Sequence, residues 1–175
     1  MEFSLSAGIN ILSRTPGALR ALTTGLEPAW IMQNEGGESW SVFDIVGHLI
    51  HGEKTDWIPR AEIILSGSPD KHFIPFDRFA QFENSKGESF ESLLATFETL
   101  RKANLEKLQS FNLQPADFQK TGIHPTFGEV TLEQLLATWT VHDLNHLAQI
   151  ARVMAVQYRE AVGPWTAFLG IFGAI

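Results

Sequence analysis

Thr131-Leu132-Glu133-Gln134-Leu135-Leu136-Ala137-Thr138-Trp139-Thr140-Val141-His142-Asp143-Leu144-Asn145-His146-Leu147-Ala148-Gln149-Ile150 is the stretch whose reading decides the fold. Thr131 and Gln134 have the spacing of a capping box, in which each side chain satisfies an amide that the first helical turn leaves unpaired. From there the apolar pattern keeps helical spacing to about Tyr158, and Gly163-Pro164 ends it. At about 100° per residue, Leu135, Trp139, His142, His146, Gln149 and Val153 fall within roughly 40° of one line. The two histidines therefore share the inward stripe of the helix with leucine, tryptophan and valine.

Three more helical patterns precede this one. The first runs from about Leu5 to Leu26, with a break or kink expected at Thr15-Pro16, because a mid-helix proline removes an amide donor and clashes one turn back. Trp30-Ile31 and Asn34-Glu35-Gly36-Gly37 read as a connecting loop. The second starts at Ser41, with Asp44 completing a capping box, and runs to about Leu65 with a kink expected at Pro59. The stretch to Gly87 carries Phe73, Phe76, Phe79 and Phe82 among Asp, Pro and Gly, and reads as a long loop with one short helical turn. The third helix spans about Ser89 to Ser110. Between Phe111 and Val130 a short extended pair is expected around His124-Pro125, and an apolar tail follows from Trp165 to Ile175. Amphipathic helices with little strand signal predict an all-α four-helix bundle with long connections, in a single domain over residues 1–175.

Composition narrows the function. The chain has 175 residues, 44% of them hydrophobic, no cysteine and a formal charge of −7. Zero cysteine excludes disulfides, thiolate metal sites and a cysteine nucleophile. The acidic excess argues against nucleic acid or an anionic membrane as partner, since both need Lys and Arg to neutralise phosphate. No stretch approaches the roughly 18 apolar residues of a membrane span, and Met1-Glu2-Phe3-Ser4-Leu5-Ser6 has no basic segment of a secretory signal. A cytoplasmic protein is expected.

His142 and His146 carry the chemistry. Residues four apart lie above one another on a helix, so two imidazoles at this spacing can bind one metal ion. The spacing alone leaves a second reading open, in which both are core histidines satisfied by neighbouring side chains. On the second helix, His48 shares a face with Asp44, Gly52 and Thr55, and those small residues leave room for a cavity. His51 is rotated about 60° away and flanks the pocket or faces solvent. His48 is thus the better candidate for a third ligand. Three imidazoles leave a coordination position for water or substrate, and a nitrogen-only donor set favours zinc or nickel, with iron or manganese as alternatives. Asp44, Glu53, Asp143 and Gln149 are the candidate acceptors for the second N–H of each ligating ring.

No general base stands out, because Asp143 is rotated about 100° from His142. The phenylalanine series is a candidate lining for an apolar substrate pocket. His124 reads as a loop histidine or a distal ligand, and His72 beside Lys71 as exposed. There is no Gly-rich phosphate loop, no Gly-x-Ser-x-Gly elbow and no His-Glu-x-x-His.

Taken together, Trp40-Ser41, Ile45-Val46-Gly47-His48-Leu49, His124-Pro125 with Gly128, the run from Val130 through Trp139, His142 through Ile150, and Gly163-Pro164-Trp165 resemble the DinB-like (DinB/YfiT-like) metalloenzyme family in order and spacing. The resemblance implies a four-helix bundle with a divalent metal held by three histidines at one end of a cleft, here His48, His142 and His146. It implies a homodimer, as in many members. Characterised members include bacillithiol S-transferases and a mycothiol-dependent maleylpyruvate isomerase. The expectation drawn from them is a metal-dependent transferase or isomerase activating a low-molecular-weight thiol against a small electrophile. The alternatives are a metal-dependent hydrolase using water, and a non-catalytic metal- or ligand-binding stress protein. No residue is identified that would recognise a particular thiol.

Overall fold

The computed structural model describes residues 2–173; residue 1 and residues 174–175, the end of the apolar tail, lie outside it. Its first helical pattern is two helices, α1 (Leu5–Leu12) and α2 (Thr15–Thr23). The break falls at Ser13-Arg14, which places Pro16 in the first turn of α2, where a missing N–H leaves no helical bond unmade. A short α3 (Pro28–Met32) occupies part of the expected loop, again opened by a proline.

The second pattern divides the same way, into α4 (Val42–Thr55) and α5 (Trp57–Leu65). Ser41 and Asp44 form the expected capping box. Asp56 leaves helical geometry (φ −108°, ψ −73°), so the bend comes three residues before Pro59 and puts that proline inside the first turn of α5. After the short α6 (Ala80–Asn84), α7 (Phe90–Ser110) is capped by Ser89. A 3-10 turn (Pro115–Gln119) leads to the antiparallel hairpin β1 (Thr121–His124) and β2 (Gly128–Thr131), and α8 (Leu132–Val156) follows with its Thr131–Gln134 box in place. The chain closes with α9 (Arg159–Val162) and two 3-10 turns.

The α1/α2 and α4/α5 pairs, α7 and α8 make the four-helix bundle. The hairpin pins the long phenylalanine segment to the bundle end: Phe73 N–H donates to Ile123 C=O and Ile123 N–H to Lys71 C=O, both at 2.9 Å. A Cβ on Gly122 would come within 2.4 Å of the Phe73 ring, so glycine is what allows that ring so close.

Two apolar clusters fill the bundle. One joins Leu12, Trp57, Ile64, Leu105, Leu108 and Trp139; the other joins Leu19, Ile45, Val46, Phe97, Ile150 and Val153. Burying each such side chain contributes on the order of 1.5–3 kcal/mol. Along α4, α7 and α8 the boundary between clusters falls at a charged residue: Glu53, Arg101 and Asp143, which are 2%, 1% and 0% exposed. A polar layer thus crosses the middle of the core, and the histidines lie at its edge. No helix among the described residues is long and apolar enough to cross a membrane.

Candidate metal centre

His48 from α4 and His142 and His146 from α8 meet at one point. His48 Nε2 lies 3.2 Å from His142 Nε2, and His142 Nε2 lies 3.1 Å from His146 Nε2. One ligand atom from each ring lies within 4.8 Å of the others. His48 and His146 are each 6% exposed. A neutral imidazole has one N–H and one lone pair. His146 Nδ1–H donates to Gln149 Oε1 at 2.8 Å, which leaves its Nε2 as a lone pair facing the other two rings. The Nδ1 atoms of His48 and His142 have no partner among the described residues.

Three ring nitrogens at these separations cannot satisfy one another with the protons they have. A tetrahedral cation with bonds of about 2.0–2.1 Å to nitrogen has nitrogen–nitrogen edges of about 3.3–3.4 Å. The donor set and its spacing fit a divalent metal.

Burial keeps these rings neutral. It drives His48 down to about 3, with help from His146, His51 and Arg78, and His142 down to about 2, with help from His146 and His48. His146 is lowered too, by burial first, against the Gln149 hydrogen bond that raises it. Neutral rings are the ligating form.

A stability prediction follows. In the unfolded chain His48 and His142 take up protons near pH 6.5, and in the folded, metal-free protein they do so only near pH 2–3. Between those limits the unfolded state binds more protons, so stability falls as pH drops below about 6.5. Asp56 opposes this. Burial raises it to about 6, so its carboxyl is protonated in the folded state while still ionised in the unfolded one, down to about pH 4. Two histidines outweigh one aspartate, and the melting temperature of chelated protein should decline from pH 6.5 to pH 4.5. A flat or rising curve would mean that the rings are protonated and partnered.

Of the four expected acceptors only Gln149 reaches a histidine. Asp44 is committed to the cap, accepting from Ser41 N–H at 2.9 Å and Ser41 Oγ–H at 2.6 Å. Glu53 and Asp143 turn instead toward Arg101, whose five N–H groups are all used: two on Glu53 Oε1 (3.1 and 2.7 Å), two on the Asp143 carboxylate (2.5 and 2.9 Å) and one on Leu12 C=O (2.8 Å). Glu53 Oε1 also accepts from Trp139 Nε1–H and Oε2 from Asn104 Nδ2–H. The layer acts on the two rings of α8 in opposite directions: Asp143 favours the charged form of His146, while Arg101 disfavours that of His142.

The centre opens into a cleft of about 810 Å³. Trp40 covers it, with ring centres 4.8 Å from His48 and 6.5 Å from His146. The Phe76 ring stands edge-on to His48 at 5.4 Å. The phenylalanine series splits: Phe73 and Phe76 line the cleft, while Phe79 and Phe82 are 59% and 44% exposed. Gly52 lines the cleft as expected, with the Trp57 indole in the space a Cβ would take, whereas Thr55 is exposed with its hydroxyl on His51 C=O. His51 lies outside the cluster, against Phe76. His124 is on the cleft wall, away from the centre. Its Nδ1 accepts from the Thr126 and Phe127 amides, so the neutral ring carries its proton on Nε2 as a donor. His72 is exposed and paired with Asp70.

Sequence reasoning missed Asp56, Arg60 and Arg78, which also line the cleft. Asp56 pairs with Arg60 at 2.6 Å. The four-residue spacing of that pair was the one local signal; nothing local marks Arg78.

Known proteins give two comparisons and a family. A protein of Bacillus mycoides (strain KBAB4) named "putative metal-dependent hydrolase" is 26% identical over 111 residues, 63% of this chain; the match spans 62% of that relative's length. The fold is that of YfiT from Bacillus subtilis, described as "a probable metal-dependent hydrolase with an unusual four-helix bundle topology": TM-score 0.72, 20% identity, covering 91% of this chain and 94% of YfiT. The expected thiol-transferase activity is corrected by these names, since both relatives are called hydrolases. That expectation had come from other members of the family and from no residue of this chain, and a shared fold does not fix the reaction. The model of the DinB superfamily matches residues 11–150, and the chain belongs to that superfamily.

Proposed function

We propose that the cleft is the active site of a divalent-metal-dependent hydrolase acting on a small ester or amide, with zinc or nickel held by His48, His142 and His146. The observation that carries this reading is the convergence of three neutral imidazole nitrogens from two helices at the floor of a cleft large enough for a small molecule. The hydrolase names of the two relatives support water rather than a thiol as the attacking group. When bound, the metal would supply Lewis-acid polarisation of the substrate and activation of water near neutral pH.

The remaining work falls to the chain's own residues. Gln149 holds the His146 ring so that Nε2, not Nδ1, faces the centre. Trp40 and Phe76 flank the His48 ring with apolar surface and exclude bulk water from that side. Asp56 supplies the acid–base group: buried in the cleft wall and raised to about 6, its carboxyl holds or releases a proton close to neutrality. His124 Nε2–H offers a donor to an acceptor oxygen further along the wall.

The test is turnover of a panel of small esters and amides by metal-loaded protein. Cleavage is expected to vanish on chelation, to return with zinc or nickel, and to be lost in the His48→Ala variant. Protein that holds metal stoichiometrically yet cleaves nothing in the panel would point to metal binding without catalysis.

A further inference from the structure

Three arginines line the cleft, and two are neutralised. Arg152 makes a two-pronged pair with Glu35 at 2.8 and 2.9 Å, and Arg60 is paired with Asp56. Arg78 has no hydrogen bond and no ion pair among the described residues, and it is exposed. Two aromatic rings hold it instead: its guanidinium carbon lies 5.9 Å from the Trp40 ring centre and 5.5 Å from that of Phe79. Trp40 is the ring that covers His48 and His146. The free guanidinium and the histidines thus lie against the same indole, and all of them line the cleft.

An arginine held over aromatic rings by cation–π attraction keeps N–H donors available, because that contact uses none of them as hydrogen bonds. Its rotamers are already restricted, so little ordering is lost when an anion docks in its fork. The cavity between is walled by Trp40, Phe76 and other aromatic side chains. Glu38 is the other cleft-lining charge with no partner among the described residues; it sits on the exposed turn that follows Gly36–Gly37.

We propose that Arg78 is the anchor for an anionic group on the substrate, so that the cleft selects small molecules with an apolar or aromatic body, a carboxylate or phosphonate-type oxyanion at the Arg78 end, and the other end presented to the histidine centre. This rests on the cleft being the substrate site, as proposed above, but not on the reaction. Arg78 is a specificity-determining residue: it binds the end of the molecule that does not react.

The experiment reads binding, not turnover. Phenylacetate, 2-naphthoate and phenylphosphonate, each beside its neutral amide or diester counterpart, are titrated into metal-loaded protein and into chelated protein, following the indole N–H resonance of Trp40 and the Nε–H resonance of Arg78. At least one anion is expected to bind roughly tenfold tighter than its neutral counterpart in both protein forms, as a charge-assisted hydrogen bond supplies. The preference should disappear in Arg78→Gln, return largely in Arg78→Lys, weaken with added salt and survive in Glu38→Gln. The inference is overturned if no pair discriminates charge, if Arg78→Gln binds the anion as well as the unaltered protein does, or if anions bind only when metal is present and regardless of residue 78. The last result would put the anion on the metal. Loss of metal or of turnover leaves the charge preference of chelated protein intact, so failure of the hydrolase reading is distinguishable from failure of this one.

Discussion

Arg101→Leu will leave a protein that is largely unfolded at room temperature. The substitution strands the Glu53 and Asp143 carboxylates in the core, where they are 2% and 0% exposed, without the one guanidinium that reaches them among the described residues. Removing one partner from a buried ion pair costs about 3–5 kcal/mol, because the remaining charge has no compensation. Here two carboxylates are left. Against a typical domain stability of about 5–15 kcal/mol, that is most or all of what is available. The Leu12 carbonyl, which accepts from the same guanidinium, loses its tie from α7 to the end of α1 as well.

Two further variants make the cause specific. Arg101→Lys keeps the charge but offers three donors from one atom where five from a planar fork are used, so it should be intermediate in a urea titration. Combining Arg101→Leu with Glu53→Gln and Asp143→Asn removes the uncompensated charges and should recover part of the loss. If Arg101→Leu costs less than about 1 kcal/mol, the polar layer is not what ties the helices together.

The same arginine shows where a linear reading stops. Arg101 sits in Leu100-Arg101-Lys102, which looks like the solvent side of an amphipathic helix, and its partners are 42 and 48 residues away. Its burial follows from three helices crossing at one level, which no local pattern encodes. Glu53 and Asp143 were misread for the same reason: each lies near a ligating histidine in sequence, yet the bundle turns both toward α7. The three histidines were legible because their placement depends on helical phase alone. His142 and His146 need only a 3.6-residue period, and His48 is separated from His51 by the same arithmetic. The breaks at Ser13-Arg14 and Asp56 were legible to within three residues, because a proline tolerates only the first turn of a helix. Of the cleft walls only Phe73, Phe76 and Gly52 were legible; the rest come from the turn after α3, the α5–α6 connection, the hairpin and α8, and meet only in the folded chain.

His142→Ala will abolish stoichiometric metal binding, from about one ion per chain to none. Its Nε2 is the central atom of the three, 3.2 Å from one neighbour and 3.1 Å from the other, so its loss leaves two nitrogens without the ring that links them. A two-imidazole remnant lacks the third protein ligand that sites of this kind use. Gln149→Leu should act more gently. It removes the acceptor that fixes the His146 tautomer, a class of change that lowers metal affinity by about 10–100-fold. His51→Ala should leave the stoichiometry unchanged, since that ring packs on Phe76 outside the cluster. Elemental analysis of untagged protein with competitive chelator titration ranks the three. Metal also stabilises whatever state binds it, by about 4 kcal/mol at a thousandfold excess over the dissociation constant. The unaltered protein should therefore melt higher with zinc or nickel than after chelation, and His142→Ala should melt at one temperature in both conditions. Its helices should persist, because removing a buried imidazole that has no partner on Nδ1 leaves no protein group newly unsatisfied there. An unaltered protein that purifies and reconstitutes without metal, and whose melting temperature ignores it, would leave the three rings as a buried polar cluster and remove the basis for a hydrolytic centre.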